Sequence, residues 1–185
     1  MGGRQKLLLP LEGKPVVRWS VEHVAGHVDE VVVVTGRDDA AVRAALAGLS
    51  VRFVANPRPE AGQGSSIAVG TAALPATASA ALVVLGDQPR VPPGVVPALL
   101  AAHARTGLPI VTPRYRGTRG TPVLFAAEVF IELGALTGDA GARTVVEARP
   151  ERVATVDVDA AMPTDVDTPE DLARLAGGGA PSRPE

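Results

Sequence analysis

The chain has 185 residues, the length of one domain whose core is large enough to need neither disulfides nor a structural metal. Its formal net charge of −2 argues against bulk nucleic-acid binding, because that function needs a basic face. The sequence has no cysteine and no apolar run approaching the ~20 residues of a membrane span, so it predicts a cytoplasmic protein with neither a nucleic-acid nor a membrane partner.

The first part of the chain alternates helices with buried strands. After a glycine-rich, basic start, Pro15 suits the first turn of a helix that reaches about residue 26. Apolar and β-branched runs then predict strands at 31–35, 51–55, 80–85 and 110–111, and helices at 38–46, from about 65, and from 92 to 105. Strands that alternate with helices in this way form βαβ units and a mostly parallel sheet.

After Pro113 the sequence changes to a basic, glycine-rich stretch that ends at Pro122. Later strands are predicted at 123–125 and 153–158, and helices at 126–133, up to 148, and at 172–176. The segment Thr168-Pro169-Glu170-Asp171 caps and opens the last helix. Residues 177–185 are predicted to be a disordered tail.

Two carboxylates follow strand-like segments. Asp87 falls just past the predicted strand at 80–85, where open α/β sheets bind their ligands, although turn statistics support a cap or turn role equally well. Asp167 follows a second strand-like segment and, taken alone, would be the neighbour of a helix cap. Because no histidine or cysteine competes with them, the pair suits a hard cation such as Mg²⁺ better than zinc.

The loop Ala-Gly-Gln-Gly-Ser-Ser, residues 61–66, carries the first two glycines of a dinucleotide fingerprint. Ile67 stands where the third glycine would be and no strand runs directly into the motif, which excludes a Rossmann cofactor site. Two interpretations remain for Gly64, Ser65 and Ser66. They form either an ordinary helix cap or a place where backbone N–H groups and hydroxyls bind a base or a phosphate.

The basic residues allow two interpretations each. Lys6, with Gly2 and Gly3, is either half of a loop that binds phosphate or part of a frayed terminus. The sequence contains no Walker pattern, which excludes P-loop hydrolysis. Arg119 and Arg143 are individually typical of a solvated surface. Together, two guanidinium groups in loops that contain glycines suit bidentate binding of a phosphate on the acceptor.

Six motifs occur in a fixed order: Met-Gly followed after three residues by Lys-Leu-Leu-Leu-Pro-Leu-x-Gly-Lys-Pro, then Gly-Gln-Gly-Ser-Ser-Ile, Leu-Gly-Asp-Gln-Pro, Pro-Arg-Tyr-x-Gly-x-Arg-Gly-x-Pro-Val-Leu-Phe, Gly-Asp-x-Gly-Ala-Arg and Asp-Val-Asp-Thr-Pro-Glu-Asp-Leu. Jointly they resemble the molybdenum cofactor nucleotidyltransferases, and most closely the cytidylyltransferase branch. The resemblance implies one domain over residues 1–176 with a three-layer α/β/α nucleotidyltransferase fold, GT-A-like and Rossmann-like, around a mostly parallel sheet. It also implies Mg²⁺-dependent transfer of CMP from CTP to molybdopterin with release of pyrophosphate.

The resemblance also assigns roles to residues. It implies that Lys6 and Asp87 are catalytic, that Asp87 and Asp167 hold Mg²⁺, and that Arg119 and Arg143 meet the acceptor. It implies a nucleotide-binding set of Gly2, Gly3, Lys6, Gly64, Ser65, Ser66 and Asp87. Gln88 resembles the cytidylyl branch, whereas the guanylyl branch carries Met or another apolar residue there, so CTP is expected rather than GTP. A molybdoenzyme or its chaperone would be a protein partner.

One departure separates the sequence from this family. Family members begin with an apolar strand and Leu-Ala-Ala-Gly-x-Ser-x-Arg-Met-Gly, and this sequence starts at the Met of that motif. The family's first, central strand is therefore expected upstream of Met1, and the strands at 31–35 and 80–85 are expected to lack the neighbour between them. Two alternatives stay open: a nucleotidyltransferase that acts on a sugar phosphate or uses GTP, and a non-catalytic cofactor-binding module.

Overall fold

The computed structural model of the protein describes residues 6–36, 39–139 and 141–176. Three of the predicted features lie outside these ranges: the loop glycines Gly2 and Gly3, and the tail at 177–185. The helices are α1 (Val16–Ala25), α2 (Asp39–Ala45), α3 (Gln63–Ala72), α4 (Val95–Thr106), α5 (Phe130–Gly134), α6 (Arg143–Ala148) and α7 (Pro169–Ala176). The strands are β1 (Pro10–Leu11), β2 (Lys14–Pro15), β3 (Val32–Thr35), β4 (Arg52–Ala55), β5 (Ala80–Val83), β6 (Ile110–Tyr115), β7 (Thr118–Arg119), β8 (Val123–Ala126) and β9 (Val153–Val158).

The main sheet places three strand ends at one edge. β5 and β6 both pair antiparallel with β8, so β5 and β6 run in the same direction, and β9 pairs parallel with β6 over its whole length. The carboxyl ends of β5, β6 and β9 therefore meet at the same edge of the sheet. β6 extends to Tyr115, further than the sequence predicts, because β7 folds back on it as a hairpin.

Helices cover both faces of this sheet. Successive residues of a strand point to opposite faces, and accordingly Val111 of β6 packs with Leu99 of α4, whereas Ile110 packs with Leu133 of α5 and Val145 of α6. These contacts confirm the predicted α/β fold, with helices on the two faces of a central sheet. In the described part of the chain, no helix is long and apolar enough to cross a membrane.

β3 and β4 form a second, parallel ladder. Among the described residues, β3 bonds only to β4 and β5 bonds only to β8, so backbone hydrogen bonds do not join the two ladders. Side chains of α3 join them instead. Ile67 packs against the core cluster that contains Phe125 of β8. Gly70 lies so close to β3 that a Cβ there would be 3.0 Å from Cγ2 of Val34.

The single tyrosine of the chain, Tyr115, is buried at the end of β6. Its hydroxyl donates to the carbonyl oxygen of Thr121 at 2.8 Å. Burial disfavours the phenolate and raises the pKa of Tyr115 to about 12.

We expect the ultraviolet absorbance of tyrosinate to appear with a midpoint near pH 12 in the folded protein, because Tyr115 has that pKa. Since the folded-state pKa lies above the unfolded value of about 10, the neutral phenol stabilises the fold below pH ~10. This stability is lost as the pH rises from about 10 through about 12, which urea unfolding at a series of pH values measures. Tyr115→Phe is the control that removes the absorbance change, and a midpoint near pH 10 in the folded protein would contradict the expectation.

Candidate functional site

Asp87 lies in the turn after β5, and a hydrogen bond from helix α1 holds this turn in place. The hydroxyl of Ser20, which is buried in α1, donates to the carbonyl oxygen of Gly86 at 3.0 Å. Leu7 lies against the same turn, where a Cβ on Gly86 would be in van der Waals contact with Cδ2 of Leu7, at 3.4 Å. The turn therefore holds the Asp87 carboxylate at the carboxyl edge of the sheet.

Asp167 reaches the same place from the opposite end of the chain. After β9 the backbone returns to β5, where the N–H of Val166 donates to the carbonyl oxygen of Asp87 at 3.0 Å. The Val166 side chain is fully buried against Leu11 and Val16. One backbone hydrogen bond and one buried side chain thus set Asp167 beside Asp87.

The first turn of α7 fixes the backbone of Asp167. Thr168 and Asp171 form the predicted capping box: the Thr168 hydroxyl donates to Asp171, and the Asp171 N–H donates back to that hydroxyl at 3.1 Å. Asp171 also accepts from the N–H groups of Thr168 and Asp167. The hydrogen bond from the Thr168 hydroxyl is the largest of the effects that lower the pKa of the Asp171 carboxyl.

Lys6 joins the two carboxylates. Its Nζ donates to Oδ2 of Asp87 at 2.6 Å and to Oδ1 of Asp167 at 2.8 Å. Burial opposes the ammonium, but the hydrogen bonds to Asp167 and Asp87 together outweigh it and raise the pKa of Lys6 above its ordinary value. The Asp87 side chain is 18% exposed and that of Asp167 is 63% exposed, so the cluster is open to solvent on the Asp167 side.

The donor set at this cluster fits a hard divalent cation. Two carboxylate oxygens already bind one cationic group, the ammonium of Lys6, between them. Among the residues that the structure describes, no three His, Cys, Asp or Glu side chains group closely enough to hold a metal. A pair of carboxylates matches Mg²⁺ or Mn²⁺ bound together with a nucleotide, because phosphate oxygens and water supply the other ligands of such ions.

The glycine loop at 61–66 packs against a second glycine loop. The N–H of Gly64 donates to the carbonyl oxygen of Gly138 at 2.8 Å, and the N–H of Gly138 donates to that of Ala61 at 3.0 Å. A Cβ on Gly64 would lie 2.8 Å from the carbonyl oxygen of Thr137. Gly64 is therefore required by a close backbone contact, whether or not a ligand also binds there.

The hydroxyls of Ser65 and Ser66 share a partner that the sequence did not indicate. The buried amide of Asn56, at the end of β4, donates to Oγ of Ser65 at 2.8 Å and to Oγ of Ser66 at 3.0 Å. Ser65 in turn donates to the carbonyl oxygen of Gly62 at 2.8 Å. Asn56 follows β4 much as Asp87 follows β5. Its position just past a strand end was the one sequence feature that could have indicated a role at this site. Contact of these hydroxyls with a nucleotide stays a prediction.

The two arginines assigned to the acceptor lie apart from the cluster of Lys6, Asp87 and Asp167. Arg119 is exposed on β7, and Arg143 begins α6 with its side chain 80% exposed and its Nε 2.7 Å from Glu147. That hydrogen bond raises the pKa of Arg143 above its ordinary value. In the described ranges, neither arginine forms a hydrogen bond or ion pair with the cluster, so their acceptor role also stays a prediction.

Comparison with known proteins identifies the chain's relatives. The sequence profile of the MobA-like NTP transferase domain matches residues 1–153. The bifunctional protein GlmU of Geobacter metallireducens is 31% identical over 119 residues, which are 62% of this chain and 25% of that protein. The chain therefore spans about a quarter of the length of the curated relatives it matches.

Solved structures resemble the fold over nearly its whole length. Rv0371c of Mycobacterium tuberculosis, solved as a complex with manganese, is 32% identical, with a TM-score of 0.80 over 95% of this chain and 94% of that one. Mth528, a nucleotidyl transferase from Methanothermobacter, is 27% identical, with a TM-score of 0.76 over 93% of this chain and 83% of that one. Manganese is thus bound in the structure of one relative.

We expect Gly64→Ala to lower the free energy of unfolding by about 1 to 3 kcal/mol, because the new methyl group would force the two glycine loops apart. Gly26→Ala is the matched control, since a Cβ at Gly26 would meet no atom within 4 Å. Thermal melting of the two variants measures the difference. Equal melting temperatures for both variants would show that the close contact is not needed.

Proposed function

The chain belongs to the MobA-like NTP transferase family, and we propose that it transfers CMP from CTP to molybdopterin with release of pyrophosphate. A phosphate oxygen of the acceptor attacks the α-phosphorus of CTP, and the bond from that phosphorus to the β-phosphate bridging oxygen breaks. The β- and γ-phosphates leave as pyrophosphate, and the product contains a new phosphoanhydride. The observation that carries the proposal is the contact of Lys6 with both Asp87 and Asp167.

The reaction needs fixed cations, because it brings two phosphate groups together. At an effective dielectric constant of 20, two like unit charges 4 Å apart repel by about 4 kcal/mol. Lys6 is well placed to offset this repulsion, because its ammonium lies beside Asp87 and Asp167 and a lysine is charged at neutral pH. Catalysis then consists of positioning and charge neutralisation, and no covalent enzyme intermediate is required.

Asp87 and Asp167 would hold a divalent metal, Mg²⁺ in our proposal. When bound, it supplies charge neutralisation on the triphosphate. Asp87 is the more enclosed of the two carboxylates and is fixed by its turn, whereas Asp167 is more exposed. Lys6 lies between the two carboxylates, so a metal held by them would take the place of its ammonium, and Lys6 would then be available to contact the phosphates.

The remaining roles follow the motifs. Gly64, Ser65 and Ser66 would line the pocket for base and ribose, and Arg119 and Arg143 would meet the phosphate of the acceptor. The preference for CTP over GTP rests on the sequence resemblance at Gln88. The Gln88 side chain is only 6% exposed, so in this proposal it does not read the base by direct contact.

Pyrophosphate release tests the proposal. The protein is incubated with CTP or GTP, with Mg²⁺ or Mn²⁺, and with molybdopterin or a sugar phosphate as acceptor, and the nucleotide product is identified by mass spectrometry. We expect a cytidylylated molybdopterin. Product from a sugar phosphate or from GTP would instead support the alternative transferase assignments, and release in none of the mixtures would support a non-catalytic module.

We expect Asp87→Asn to lower kcat/KM by about 100-fold or more, because the neutral amide cannot replace a carboxylate that neutralises and positions a cation. Asp29→Asn is the matched control, since it removes the same charge from an exposed turn. Initial rates of pyrophosphate release measure both variants. Comparable rates for the two would remove Asp87 from the reaction.

We expect Lys6→Met to bind Mn²⁺ about tenfold more tightly than the parent while losing transferase activity, because two carboxylates without their ammonium attract a cation more strongly. Lys14→Met is the matched control, since Lys14 pairs with Glu22 instead. Isothermal titration calorimetry of the metal-free proteins measures the affinities. Weaker Mn²⁺ binding by Lys6→Met would show that Lys6 and the metal do not share the site.

A further inference from the structure

Gln88 is a buried polar residue that connects three separate segments. It follows Asp87 directly, and its side chain is 6% exposed. Its Nε2 donates to Oδ1 of Asp165 at 2.7 Å, and its Oε1 accepts from the hydroxyl of Thr121. The amide thus contacts both the turn that follows β7 and the segment that carries Asp167.

The partners of Gln88 fix the orientation of its amide. An ionised carboxylate can only accept hydrogen bonds, so the NH₂ group must face Asp165. The carbonyl oxygen must then face Thr121, whose hydroxyl is able to donate. Thr121 is itself held by Tyr115, whose hydroxyl donates to its carbonyl oxygen at 2.8 Å. Only one rotation of the Gln88 amide satisfies these groups.

The segment with Asp167 is therefore attached to the turn with Asp87 at two points. One is the backbone bond from the N–H of Val166 to the carbonyl oxygen of Asp87, at 3.0 Å. The other is the bond from the Gln88 side chain to Asp165, which is two residues before Asp167. These attachments at the neighbouring residues Asp165 and Val166 restrict the rotation of the segment more than the backbone bond and the buried Val166 side chain do without Gln88.

We propose that Gln88 is a positioning residue that holds Asp167 at the spacing from Asp87 at which both carboxylates bind one divalent cation. The inference rests on the proposed function, because it assumes that these carboxylates are the metal ligands. Gln88 contacts neither the cation nor the nucleotide and acts through Asp165. Groups that hydrogen-bond directly to a metal ligand are worth about 10- to 100-fold in metal affinity, and because Gln88 acts one step further out we expect an effect at the lower end of that range.

Asp165 offers a test that separates hydrogen bonding from charge. Asp165→Ala and Asp165→Asn remove the same negative charge, but only asparagine keeps an Oδ1 that accepts from Nε2 of Gln88. The measurement is the Mn²⁺ affinity of the metal-free full chain by isothermal titration calorimetry, with Asp87→Asn as the reference for a lost ligand. Asp165 is exposed, so both substitutions are compatible with folding, which circular dichroism checks.

We expect Asp165→Ala to weaken Mn²⁺ binding by about tenfold or more and Asp165→Asn to bind within about threefold of the parent. Gln88→Met, which removes the donor instead, is expected to match Asp165→Ala. Equal losses for Asp165→Ala and Asp165→Asn would mean that only charge matters and would overturn the inference, as would no loss for either. If Asp87→Asn binds Mn²⁺ as the parent does, or the parent binds none, the proposed metal pair itself fails and the inference fails with it.

Discussion

Two ionised carboxylates that lie side by side repel each other, so a close pair is constrained to share a proton or a cation. Here Asp87 and Asp167 satisfy this constraint with the ammonium of Lys6, at 2.6 and 2.8 Å. The cost of desolvating the lysine is outweighed by its two hydrogen bonds, so its pKa rises. The remaining structure around the site serves to bring these three groups together and to keep them in place.

The fold provides this convergence through strand direction and a few specific hydrogen bonds. β5, β6 and β9 end at one edge of the sheet, which places the turn with Asp87 within reach of the segment that follows β9. Ser20 fixes that turn from α1, and the capping box at Thr168 fixes the start of α7. Each of these contacts is weak alone, at about 1 kcal/mol net. Together they define a single arrangement of the two carboxylates.

Local patterns in the sequence predicted the α/β fold and drew attention to Asp87 and Asp167. Lys6 entered the site only through the family resemblance, and its contact with both carboxylates was not predicted. Apolar runs located β3, β4, β5, β8, β9 and the start of β6, but not the short strands β1, β2 and β7, which form by hairpin pairing. Asp87 was predicted at a strand end, whereas Asp167 lies in the segment that returns from β9 to β5. The hydrogen bonds that support the cluster were not predictable in this way. Gln88 and Asp165 are 77 positions apart, and Asn56 finds Ser65 and Ser66 only after α3 has packed on β3. Such partners depend on three-dimensional packing, which periodicity does not record.

The contact between Lys6 and Asp167 spans 161 positions of the chain. A loop of this size closes late in folding, since its entropy must be lost before the contact contributes any stability. Strands β5, β6 and β8 all precede residue 167 in the chain, so their ladder does not depend on the contact that completes the charged centre. Proteolytic removal of the segment after β9 would abolish that centre and leave the ladder of β5, β8 and β6 intact.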